Sequence, residues 1–240
     1  AADLRPGGVT YNTVISSCEN GLQWRRVLAL LELAGGGGLA QQAGPTELQH
    51  AAWRLSKQLP TPDLWRKGDQ LGKQAAGVVS RFHPKELVSL LRALASMSVQ
   101  NKALYAETTR VLPDKLQSGM LQAQELANLC WAYAISEAAG ASTIFRAVQA
   151  ALFQRMEAFR SSHATVFQED AAQDFAEGLL GIVWSLKHAG HLRPYFLDFA
   201  RTALQELTST EHAQLEPVLS RFADLHQREI TGRRKSAVAV

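Results

Sequence analysis

One short pattern recurs along the chain and constrains its fold more than any other feature. ELQHAAW at Glu47 to Trp53 is answered by ELVSLLR at Glu86 to Arg92 and by ELANLCW at Glu125 to Trp131, each 39 residues after the one before. A fourth copy, GLLGIVW at Gly178 to Trp184, follows after 53 residues, as if 14 had been inserted. The polar stretch from Arg160 to Asp170 is predicted to be the loop that holds them. Self-similarity at such a period marks helical-repeat architectures, in which no unit can bury its apolar face alone.

Each copy places apolar residues at i, i+3, i+4 and i+7: Leu48, Ala51, Ala52 and Leu55; Leu87, Leu90, Leu91 and Leu94; Leu126, Leu129, Cys130 and Tyr133; Leu179, Ile182, Val183 and Leu186. That spacing lines one face of an α-helix. Pro45 and Pro84 stand two residues before the glutamate. Proline suits a first helical turn there, and the acid suits the positive end of the helix dipole. Second amphipathic stretches follow at Lys102 to Leu116, Ser142 to Met156 and Leu192 to Leu207, so each unit reads as helix-turn-helix. The expected fold is all-α, an α-solenoid of stacked helix pairs over residues 45–228, ending in a capping helix from Glu211 to Arg228. Residues 1–34 are expected to form a separate helical hairpin, 35–44 a flexible linker around Gly35 to Gly38, and 229–240 a basic tail.

Two outward rows follow from the same register. Five residues after the first leucine come Trp53, Arg92, Trp131 and Trp184, about 140° round the wheel from the main stripe. The tryptophans of this row are expected to pack against the neighbouring repeat. Two residues after that leucine come His50, Ser89, Asn128 and Gly181, all polar or small. If a row faces a ligand groove, it is this one, the alternative being an ordinary solvated face.

The chain is 46% hydrophobic and 20% charged, in the range of a soluble globular protein. A net charge of +3 is not by itself a nucleic-acid-binding composition. Cys18 and Cys130 each lie in an apolar helical pattern and read as buried, reduced thiols. No apolar run approaches the roughly 18 residues of a membrane span.

Ahead of the array, VTYNTVISSC at Val9 to Cys18 and GLQWRRVLALL at Gly21 to Leu31 resemble one pentatricopeptide repeat over residues 9–33. That resemblance implies that Asn12 contributes to reading a base of single-stranded RNA. The string ELANLCWAYA at Glu125 to Ala134, with its cognates, resembles the helical repeats of octotricopeptide-repeat and FAST-kinase-like proteins over residues 45–207. The two resemblances together imply a place in mitochondria or chloroplasts, in RNA processing, stability or translation, including association with an organellar ribosome.

No catalytic or cofactor signature accompanies the repeats. Gly35 to Gly38 runs into Leu39 rather than the Lys-Ser/Thr of a phosphate loop. His188 and His191 are three apart but have no companion ligands in the sequence, so neither a metal nor another cofactor is expected. The clearest charge cluster is Arg228, Arg233, Arg234 and Lys235, suited to phosphates and equally to a solubilising tail. The expected role is therefore non-enzymatic. RNA contacts are assigned to Asn12, His50, Ser89, Asn128, Arg228, Arg233, Arg234 and Lys235, with single-stranded or ribosomal RNA, protein subunits of a large organellar assembly, or both as partners. The alternative is a structural accessory subunit of a photosystem or respiratory assembly, which the modest charge favours. No small-molecule substrate is expected.

Overall fold

Proline opens four of the eight α-helices among the described residues, which in this computed structural model are 44–58, 61–116, 119–161 and 169–208. The helices are α1 (Pro45–Leu55), α2 (Pro62–Ala76), α3 (Pro84–Ser96), α4 (Lys102–Leu116), α5 (Ala123–Ile135), α6 (Ala141–Ser161), α7 (Glu169–His188) and α8 (Pro194–Thr208). A short 3-10 turn, Val79–Arg81, precedes α3, and there is no strand among the described residues. The all-α expectation holds over this span. The hairpin at 9–33, the glycine linker up to Ala43, the capping helix and the basic tail lie outside the described residues.

The glutamate column has a more specific role than dipole matching. Glu86 accepts a hydrogen bond from the His83 backbone N–H at 3.1 Å, and Glu125 accepts one from that of Gln122 at 2.6 Å. Each carboxylate thus reaches back to the residue that precedes its helix, satisfying a donor there. Pro113 lies inside α4, where it withholds one backbone N–H near the helix end.

The chain divides into two compact units, Ala1–Leu112 and Pro113–Val240, with the division inside α4. In the first, α1 packs against both α2 and α3. The Thr46 hydroxyl of α1 also donates to Glu86 Oε1 at 2.7 Å. Asn101, 4% exposed, ties α2 to the start of α4. Its Nδ2 donates to Asp69 Oδ1 at 2.9 Å, and its Oδ1 accepts from the Leu104 backbone N–H at 2.9 Å. The approach is close because α2 has glycine there: a Cβ on Gly72 would lie 2.8 Å from the Asn101 Cβ.

In the second unit α5 packs on α6 and α7, and α8 on α7. Eight of the 13 residues of α5 are buried, as befits a helix covered on more than one side. The contact with α7 runs through small residues. A Cβ on Gly178 would lie 2.5 Å from the Ala123 carbonyl carbon, and one on Gly181 would lie 3.0 Å from the Ala127 Cβ. Arg155 of α6 donates to the Leu121 carbonyl just ahead of α5, with Glu125 and Asp174 near its charge.

The loop expected from Arg160 to Asp170 is shorter than that, because helix takes up both ends of it. The helix α6 continues to Ser161, and α7 already begins at Glu169, which leaves 162–168 outside the described residues. Arg160 gives a physical reason on the α6 side. It forms a two-pronged pair with Glu206 of α8 at 2.8 and 2.9 Å, which holds the end of α6. On the other side, Ala172, Phe175 and Ala176 are buried and extend the apolar stripe of α7 backward by two turns.

Candidate ligand-binding face of the first helices

The helices α1, α3, α5 and α7 carry the recurring pattern. All sixteen residues of its inner columns are buried, none above 3% exposure. With the inner face fixed, the outward rows become the candidate surface.

The row two residues after the first leucine does not share one environment. His50 and Ser89 are exposed, whereas Asn128 is half-buried and accepts at 3.5 Å from Gln124 Nε2. Gly181 points at Ala127 of the neighbouring helix. Only the first three can offer a polar group, and they were the ones assigned RNA contacts. Asn12, Arg228, Arg233, Arg234 and Lys235 lie outside the described residues.

The tryptophan row departs from expectation. Trp53 is 52% exposed and Trp184 39% exposed, so neither is covered as packing against a neighbouring repeat requires. Trp131 is half-buried and Arg92 is exposed. In the second unit the close approach of α5 and α7 runs through small residues instead, Gly178 on Ala123 and Gly181 on Ala127. Each exposed ring is engaged by the residue four positions on: Lys57, in the turn just past the end of α1, and His188, the last residue of α7. Lys57 Nζ stands 5.5 Å from the Trp53 ring centroid, a cation–π distance. His188 stacks on Trp184 with centroids 5.1 Å apart and planes 7° from parallel.

The Trp184 and His188 pair was readable in the sequence, since residues four apart share a helix face, whereas Lys57 meets Trp53 from the turn after α1. They were missed because the row was assigned to packing. The pairs supply aromatic surface of the kind sequence-tolerant recognition of single strands uses for base stacking, and Lys57 adds a cation for the phosphate.

The two histidines considered as a metal pair serve elsewhere: His188 on Trp184, and His191 edge-on to Phe145 at 5.3 Å. Among the described residues no three His, Cys, Asp or Glu side chains converge to hold a metal. Cys130 is fully buried and unbridged, and burial pushes its thiol far above the usual range, so it is a packing residue. Cys18 lies outside the described residues. No helix among the described residues is long and apolar enough to cross a membrane.

No protein-family model, curated protein or solved structure matches the chain.

Proposed function

We propose that this chain is a non-enzymatic helical-repeat protein that binds single-stranded RNA on the outer faces of its first helices. The observation that carries this reading is the pair of solvent-exposed tryptophans at matching positions of the first and fourth segments. Lys57 stands over one ring and His188 stacks on the other, each four residues on in the chain. Leaving large aromatic surface in water forgoes its burial, and a stacked base recovers it at about 1–3 kcal/mol per ring.

The wider reading is an α-solenoid working in organellar RNA metabolism or translation. In its support, α1, α3 and α5 begin 39 residues apart, as do α4 and α6. Within each unit, consecutive first helices lie side by side, α1 on α3 and α5 on α7, as stacking of helix pairs requires. The organellar setting rests on the resemblance of the repeat strings alone.

The net charge of +3 favours a second reading, in which the same faces hold protein subunits of a large organellar assembly. One titration separates the two. Fluorescein-labelled single-stranded RNA is followed by anisotropy at low salt against the intact chain, then against W53A and W184A. Saturable binding that each substitution weakens about tenfold or more supports the RNA reading. Absence of binding at low salt rejects it and leaves the protein-holding reading.

A further inference from the structure

We propose that the second unit carries a nucleotide-binding cleft between α6 and the turn leading into α8, taking a phosphate on two arginines and a base beside Tyr195. The cleft is a half-open depression of about 330 Å³, within the range of small-ligand sites. Its floor is preformed. Phe145 and Gln149 are buried, the His191 ring packs edge-on against Phe145, and the Tyr195 hydroxyl donates to Gln149 Oε1 at 2.6 Å. Wall side chains fixed this way by packing and hydrogen bonding hold a site open without reorganisation.

Two cations flank that floor: Arg146 on α6 and Arg193 directly before α8. Among the described residues neither makes an ion pair, and no residue lining the cleft is acidic. The Arg193 carbonyl accepts from the Phe196 and Leu197 backbone N–H groups, so this residue sits at the start of α8, where the helix dipole is positive. Guanidinium forks match phosphate oxygens two at a time, and two forks without an ion pair among the described residues at one cleft make an anion the complementary ligand.

The anion is a phosphate on a planar ring because of Tyr195. The residue is 55% exposed while its hydroxyl is anchored, which presents a held aromatic surface for a base. Inorganic phosphate alone leaves that ring and the apolar floor unused, whereas a nucleoside monophosphate uses the volume, the cations and the ring together. The same chemistry is presented by a free nucleotide and by one nucleotide of an RNA strand.

Calorimetric titration of the full chain with uridine and adenosine monophosphates, inorganic phosphate and a short single-stranded RNA tests this. A monophosphate is expected to bind saturably and at least tenfold more tightly than inorganic phosphate. R146Q and R193Q, both at exposed positions, are each expected to weaken it about tenfold, with circular dichroism confirming the fold. Y195L is expected to remove the advantage of the nucleotide over phosphate. If RNA competes with the monophosphate, the strand is the source; if both bind without competing, the free nucleotide is. No saturable monophosphate binding at millimolar concentration overturns the proposal, as does binding indifferent to both arginine substitutions. Trp53 and Trp184 do not line the cleft, so loss of monophosphate binding with RNA binding retained removes the cleft and leaves the helical face standing.

Discussion

Two glycines, Gly178 and Gly77, give opposite expectations for the same substitution. At Gly178 of α7 an alanine Cβ would lie 2.5 Å from the Ala123 carbonyl carbon and 2.7 Å from both its oxygen and its Cβ. Carbon atoms are at their best separation near 3.5–4.0 Å, so relief needs α7 to retreat from α5 by roughly 1 Å. Two of the three obstructing atoms are backbone, which no rotamer change moves aside. Overpacking of this kind costs about 3 kcal/mol, at the upper end of the usual range. Alanine recovers about 1 kcal/mol of helix propensity over glycine. The net expectation for G178A is a loss of about 2 kcal/mol. At Gly77 the backbone is already helical, with φ −69° and ψ −16°, and the nearest obstruction, Gln74 O, is 3.5 Å away. G77A is therefore expected to gain about 0.4–1 kcal/mol by restricting the unfolded chain. Urea denaturation followed by far-ultraviolet circular dichroism reads both as midpoint shifts. If G178A is as stable as the original chain or more so, propensity outweighs the contact and the α5–α7 packing described above is wrong.

Three further substitutions probe single interactions. Asn101→Ala removes the cap of α4 and the link to Asp69, and is expected to cost about 2–3 kcal/mol in the same denaturation assay. Burial, with the Glu125 and Glu177 carboxylates, holds the Asp174 carboxyl above its ordinary 3.8, against the pull of the Gln124 backbone N–H and Arg155. A carboxyl raised by folding contributes stability below its unfolded pKa and loses it as pH rises through its folded pKa. Asp174→Asn is therefore expected to be more stable than the original chain at pH 7, with the difference closing as pH falls toward 3; a constant difference between pH 3 and pH 7 contradicts the assignment. Cys130 in a C18S background is expected to resist alkylation under native conditions and to react once urea unfolds the chain, as mass spectrometry of the intact protein records.

What was legible in the sequence follows from which physical signal each feature leaves. The 3.6-residue rhythm of large apolar residues maps directly onto burial, so every one of the sixteen inner positions from Leu48 to Leu186 was placed correctly. The helix α2 was not delineated because its buried face uses Gly68 and Gly72 with only Leu64 and Leu71 as large apolar residues. Glycine there signals close approach of another segment, and that signal looks like a helix breaker until Asn101 is seen beside it. The same ambiguity hid the role of Gly178 and Gly181. The cleft left no sequence trace at all, because Gln149 and Tyr195 meet across 46 residues with no motif joining them.

Ultraviolet cross-linking of the intact chain to single-stranded RNA, with the attached peptides read by mass spectrometry, tests the proposed face most directly. The expected result is nucleotide adducts on the peptides carrying Trp53 and Trp184, lost when those residues are replaced by leucine. Adducts confined to other segments, or none at low salt, contradict it.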